Sequence, residues 1–314
     1  MKKTLVALSV LAASASATAG FEIYNQDGVT VQMGGDIEVV YVKDTAKNSD
    51  FAQDIQDADL DFDVRYAVSD STQVGAFWQF TDVGTSEGDA YVAVYNDSLG
   101  SLKVGRLCTA LDDAGIGSDY QFGLTTFFED SEVYCQDEIA RYDYDNGSFY
   151  GTLAIAQDYN NDIALKNSDT YVDGAIGYRV ADFDFTGFYG NGTIIESGVE
   201  ADETLWSVQA RYNGVENLGL AIAYYDFTKD ITNVSKDFEA NTIALAATYT
   251  LDKVTFAAGY AMSDDNVDAT KDQDDWYVNA GYGIAPNTTL YAEVGGTNED
   301  NTDTGYAVGV KAFF

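Results

Sequence analysis

Carboxylates are the chemistry this chain holds in quantity. Asp and Glu number 52 against 16 Lys and Arg, with no histidine, for a formal charge of −36. Without imidazole there is no Ser-His or Cys-His nucleophile, no His-ligated zinc and no Asp-His hydrolytic pair, so the enzyme classes built on them are excluded. Acids in this excess guide cations and repel anions. Nucleic acid, itself a dense anion, is therefore not a partner. The run Asp264-Asp265-Asn266-Val267-Asp268 offers oxygen ligands but lacks the glycine and closing glutamate of an EF-hand loop. No metal and no cofactor is assigned.

The elements that must position these acids are strands. Hydrophobic residues make up 46% of the 314 and aromatics 14%, too many for a disordered acidic chain, while a single proline suits ladders that proline would interrupt. Residues 1–19 read as a secretory signal peptide. Lys2 and Lys3 precede an apolar stretch, Leu5 to Ala13, about half what a membrane helix needs, and Ala17 and Ala19 supply the small residues of a cleavage site. The mature segment 20–314 contains no uncharged apolar run long enough for a membrane helix, so a membrane-spanning form must be a closed barrel.

Period-two alternation supports that form. Val74, Ala76, Trp78 and Phe80 share one face, as do Trp276, Val278, Ala280, Tyr282 and Ile284. Tight turns are predicted at 69–72, 96–100, 145–147, 180–182, 213–217, 251–253 and 285–287. Longer polar loops are predicted around 43–56, 84–88, 107–135, 158–168, 191–202, 228–238, 263–273 and 298–303. Seven turns alternating with eight loops give 16 antiparallel strands, short connections on one side and long ones on the other, the pattern of an outer-membrane barrel. A soluble sandwich would carry charge on its outer face. Here residues 57–68 separate Leu60, Phe62, Val64, Tyr66 and Val68 from Asp57, Asp59, Asp61, Asp63 and Arg65, so lipid outside and water inside account for both faces. Tyr41, Tyr95, Tyr142, Tyr178, Tyr212 and Tyr249, near strand ends, are expected in the interfacial girdles.

Signal peptide, 16 strands, a long third loop and the terminal Phe314 together resemble the trimeric general diffusion porins of Gram-negative outer membranes. Gly105-Arg106-Leu107 and the stretch from Leu111 through Asp112, Asp113 and Asp119 to Gly123 are similar to the Vibrio and Photobacterium porins of the OmpU, OmpL and OmpH type. The resemblance implies a homotrimer in the outer membrane, in contact with its lipid and lipopolysaccharide, passing small hydrophilic solutes and ions, with no catalysis. It implies that Phe314 is read by the barrel-assembly machinery. It also implies that the loop at 107–135 folds inward and narrows the pore. Asp112, Asp113, Asp119, Glu129, Asp130 and Glu132 would then be the candidate constriction acids, opposed by inward bases, chiefly Arg65 and Arg141, with Arg179 and Arg211. Arg106 shares parity with Leu102 and Val104 and is expected to face outward.

Cys108 and Cys135 bracket that loop. In an oxidising periplasm an even pair reads as a disulfide, with two buried thiols as the alternative. The acid excess and the absence of Lys or Arg between Leu107 and Gln136 predict cation selectivity. A sugar-specific channel would need an aromatic track in the lumen, where Phe77, Tyr150, Phe188, Tyr225, Tyr277 and Tyr291 are scattered over many strands. An adhesin or receptor role for the outer loops is compatible with either reading.

Overall fold

A computed structural model describes residues 20–81, 86–124, 135–157, 170–196, 199–232, 237–267 and 272–314. Residues 1–19, and with them the expected signal peptide, lie outside that set, as do Glu129, Asp130, Glu132 and Asp268.

The described residues form seventeen strands: β1 (Phe21–Gln26), β2 (Val29–Lys43), β3 (Ala52–Ser69), β4 (Thr72–Thr81), β5 (Ser86–Asn96), β6 (Gly100–Cys108), β7 (Cys135–Asp145), β8 (Phe149–Gln157), β9 (Thr170–Val180), β10 (Phe183–Glu196), β11 (Val199–Val215), β12 (Leu218–Ile231), β13 (Phe238–Leu251), β14 (Val254–Asp265), β15 (Gln273–Ala285), β16 (Thr288–Thr297) and β17 (Gly305–Phe313). From β2 to β17 each strand pairs antiparallel with the next. The ring closes where β17 meets β2, from Tyr306↔Lys43 to Phe313↔Asp36. These are the sixteen expected wall strands. The seam ends on the last residue, because Phe314 and Gly35 exchange both backbone hydrogen bonds at 2.9 and 3.0 Å. Gly35 has no room for a side chain there, since a Cβ would stand 2.2 Å from the Asp59 carbonyl oxygen.

The extra strand, β1, forms a hairpin with the start of β2, Phe21↔Met33 to Gln26↔Val29. Its two-residue turn, Asp27-Gly28, has both φ angles positive at 54° and 78°, the twist a tight hairpin favours. Asp-Gly is a strong hairpin dipeptide that the turn count omits.

All seven predicted tight turns fall between consecutive strands. The loop expected at 191–202 is much shorter: β10 and β11 stay in register from Phe183↔Tyr212 out to Glu196↔Val199. The Asn, Gly, Thr and Glu residues that read as loop are ladder positions; Asn191 and Thr193 stand on the outward face, hydrogen-bonded to Thr204 at 2.9 Å and Asp202 at 2.6 Å, while Ile194 and Ala201 are buried inward. Outward residues are apolar and bare, with Val92 62% and Trp78 57% exposed, as lipid contact requires. Tyr41, Tyr142, Tyr178 and Tyr249 are exposed near strand ends as expected. Tyr95 is not a girdle residue: it turns inward, its ring 4.0 Å beneath the guanidinium of Arg65, which reaches it from β3 across β4 as a cation-π partner.

Candidate functional site

The segment after β6 leaves the wall and crosses the lumen. At its root the structure joins Cys108 to Cys135, so both ends of the loop are pinned where they enter and leave the barrel. One turn of 3-10 helix follows, Ala110–Asp113, with Thr109 as its N-cap. Its free amides are taken by a wall carboxylate: Asp173 of β9, 1% exposed, accepts from Ala110 N at 3.1 Å and Leu111 N at 2.9 Å. Arg141 of β7 braces the same root, donating to the carbonyls of Cys108 (3.2 Å) and Thr109 (2.9 Å) while pairing with Asp113 (2.6 Å) and Asp143 (2.9 Å).

The middle of the loop is held from the far wall. Gln209 and Tyr225 both donate to the Ala114 carbonyl, and Arg211 donates to that of Gly115 at 2.9 Å. Ser118 N donates to the Tyr277 hydroxyl at 2.7 Å and Asn279 to the Ser118 carbonyl at 2.8 Å. The tip is gripped by one residue. Glu293 of β16, 1% exposed, accepts backbone N–H bonds from Tyr120 (2.7 Å), Gln121 (2.8 Å) and Phe122 (2.7 Å), plus the Asn279 amide at 2.8 Å. Tyr120 stacks flat on Tyr291, centroids 3.9 Å apart, and Gln121 reaches Glu38 of β2 at 3.2 Å. Phe122 fills the space above Gly295 and Gly305, where added Cβ atoms would meet its ring or Cβ at 2.4 to 2.5 Å. Tyr277, Asn279 and Glu293 lie near the middle of their strands, so the loop sits near mid-height.

Asp112, Asp113 and Asp119 are all exposed to the lumen. Desolvation within the lumen, and then the neighbouring Asp113 charge, push the Asp112 carboxyl above its ordinary value, with Arg141 opposing. Burial, followed by the Glu293 charge, likewise raises Asp119 against the pull of backbone hydrogen bonds. Of the predicted bases, Arg141 does meet a loop acid, but in direct contact at the root of the loop rather than across an open gap, because it stands on the strand into which the loop returns. Arg65 lies apart from the loop, paired with Asp63 at 2.7 Å. Arg179 pairs with Asp145 at 2.9 Å. Arg106 is ion-paired with Asp137 of the next strand.

The described loop is thus held by β2, β7, β9, β11, β12, β15 and β16. Asp36, Glu38, Asp57, Asp59, Asp61 and Asp63 line β2 and β3, and Asp112 of the loop acts electrostatically on Asp89 of β5. The wall residues Asp173, Gln209, Asn279 and Glu293, which seat the loop, were not singled out from sequence. Their signal is present: each is an amide or carboxylate side chain at inward parity within a strand, where small or hydroxylated neighbours would have sufficed.

A closed sixteen-stranded barrel with a bare apolar exterior and a loop strapped across a polar lumen is an outer-membrane channel of the porin class. The Gram-negative porin family matches residues 4–302, and the chain belongs to that family. It is 31% identical, over all of both chains, to porin-like protein H of Photobacterium profundum, and 27% identical to outer membrane protein U of Vibrio parahaemolyticus, over 97% of this chain and 81% of that protein. Among solved structures, the trimer form of OmpT from Vibrio cholerae superposes with a TM-score of 0.78 at 18% identity, covering 92% of this chain and all of that one. An anion-selective porin from Comamonas acidovorans superposes at 0.73 with 16% identity, over 91% and all respectively. The chain is an outer-membrane diffusion channel rather than an enzyme.

Proposed function

We propose that this porin is cation-selective and passes small hydrophilic solutes and ions between the loop acids and the acidic wall. The fold alone does not set the sign, since an anion-selective porin shares it. The observation that carries the reading is the state of the lumen charges. Inward bases are already engaged: Arg65 by Asp63, Arg141 by Asp113 and Asp143, Lys103 by Asp143 at 3.1 Å, and Lys311 by Asp36, Glu38 and Asp57. Asp112 and Asp119 are exposed on the loop, and Asp112 acts electrostatically on Asp89 of the wall. Fixed negative charge in a narrow low-dielectric passage favours cations. Asp112, Asp113 and Asp119 are the proposed constriction acids of the described loop, Glu129 lies outside the described residues, and Arg141 sets the local counter-charge. The test is the reversal potential of single channels in a planar bilayer under a KCl gradient. A potential of the chloride-selective sign at low salt would refute the reading.

The sugar-channel alternative loses support from the tyrosines. Tyr225, Tyr277 and Tyr291 are spent holding the loop and offer no free stacking track. We further propose a homotrimer, with the bare outward strip of Trp78, Val92, Val94, Leu102 and Val104 facing a neighbouring subunit. The mass of the detergent complex and conductance arriving in triplets check it. A signal peptide at 1–19, contact with lipopolysaccharide, and reading of Phe314 by the assembly machinery complete the proposal.

A further inference from the structure

The loop after β6 meets the inner wall in the order in which the wall strands follow one another. Ala110 and Leu111 hang from Asp173 of β9, the Ala114 carbonyl takes Gln209 of β11 and Tyr225 of β12, and Ser118 takes Tyr277 and Asn279 of β15. Tyr120, Gln121 and Phe122 then reach Glu293 of β16. The loop is a belt laid round the lumen, and its tip arrives where β17 closes on β2.

The seat of that tip is built across the seam. Tyr291 of β16 lies over β17, where Gly309 stands opposite it without a side chain; a Cβ there would meet the Tyr291 ring and hydroxyl at 2.4 Å. Its hydroxyl passes β17 and donates to Glu38 of β2 at 2.5 Å. Lys311 of β17 reaches the same carboxylate at 3.2 Å. Onto this group from three strands the loop adds its own contacts. The Gln121 amide donates to the Glu38 carboxylate and to the Tyr291 hydroxyl, both at 3.2 Å, while the Tyr120 ring stacks on Tyr291. Phe122 covers Gly295 of β16 and Gly305 of β17. Such a seat does not exist in an open sheet. Glu38 and Tyr291 are 253 residues apart, on the first wall strand and the last but one, and only closure of the seam brings them together.

We propose that the loop tip is a clasp on the closed seam: it seats only once β17 has paired with β2, and when seated it holds that pair against local opening. The narrowing of the pore by the tip is therefore the last step of assembly. The root of the loop is different, since Asp173 receives Ala110 and Leu111 without any contribution from the seam. The clasp stands on contact geometry and not on the selectivity proposed above.

The test is hydrogen exchange on the full-length barrel in detergent, with heat-modifiable gel migration confirming folding. The amides of Gly35 and Phe314, each bonded to the other's carbonyl, report on the seam. Tyr120→Ala with Gln121→Ala removes tip contacts and alters no wall residue. Exchange at Gly35 and Phe314 should quicken by about fivefold or more, because local opening follows the contacts that oppose it, while the remote β3–β4 ladder keeps its wild-type rate. Unchanged seam exchange, or an equal rise in both ladders, would overturn the clasp. Pulse labelling of the refolding wild type judges the order of events even if the variant does not fold. The amides of Tyr120, Gln121 and Phe122 should gain protection together with those of Gly35 and Phe314 or after them. Tip protection ahead of the seam would overturn the clasp.

Discussion

Replacing Glu293 by Gln should unseat the tip of the loop without harming the barrel. The carboxylate receives four donors, Tyr120 N and the Asn279 amide on one oxygen, Gln121 N and Phe122 N on the other. An amide of the same shape keeps one oxygen and turns an NH2 toward two of those donors. Hydrogen bonds to a charged group contribute about 1.5 to 3 kcal/mol each and are not additive, so we expect a net loss near 2 to 4 kcal/mol in the seating of the tip. That corresponds to a rise of about 30- to 700-fold in the unseated population. Hydrogen exchange resolves it at the backbone amides of Tyr120, Gln121 and Phe122, and single-channel records should show more frequent partial closures. The wall ladder around β16 is intact in the variant, so thermal unfolding should barely move. Exchange at those three amides equal to wild type would refute the reasoning.

Reducing Cys108–Cys135 should make the channel noisier while leaving the barrel folded; the cross-link closes a 27-residue separation, about 3 to 4 kcal/mol by loop entropy, and single-channel noise with and without reductant checks it. Asp112→Asn, Asp113→Asn and Asp119→Asn together should lower the potassium-to-chloride permeability ratio; an unchanged ratio would remove these three from the constriction. Because desolvation in the lumen raises the Asp112 and Asp119 carboxyls above the ordinary value of 3.8, they take up protons at higher pH than free carboxylates do. Selectivity should therefore begin to drop above the usual carboxylate range, and that early phase should shrink in an Asp112→Asn/Asp119→Asn channel measured over the same pH series. Ala181 occupies the β9–β10 turn at φ 51°, a conformation costing an L-residue with a Cβ about 1 kcal/mol, so Ala181→Gly should raise refolding yield or unfolding midpoint slightly.

The wall was legible because its code is short-range. Alternation and turn chemistry act over two to five residues, and they place Leu60 outward and Asp61 inward without any knowledge of the partner strand. Where strand and loop share a vocabulary the code fails, as in 191–202, because the outward face of this hairpin is polar there, Asn191 and Thr193 pairing with Thr204 and Asp202 across the ladder. The girdle assignment of Tyr95 failed for a related reason: parity was readable, but whether a tyrosine belongs to lipid or to an arginine depends on Arg65, thirty residues away. The seat of the loop was the least legible. Asp173 and Glu293 lie 62 and more than 170 residues from the amides they bind, and nothing local to either marks it as a backbone acceptor.

The two sides of the lumen divide the labour in a way that connects these observations. From β7 round to β16 the inner wall is thinned or made apolar, with Ala154, Ala156, Ala223, Ala244 and Ala261 buried under the loop and its neighbours. Glycines at 295 and 305 make room for Phe122. A loop pressed into that side releases no water path along it, and its polar backbone is satisfied by Asp173, Gln209, Asn279 and Glu293, leaving few buried groups unpaired. On the proposed reading ions pass on the side the loop does not pack against, and carboxylates of β2 and β3 face one another in the ladder nearby despite the repulsion this entails. Charge that destabilises the wall is kept on β2 and β3, which is what the proposed cation selectivity would require of it.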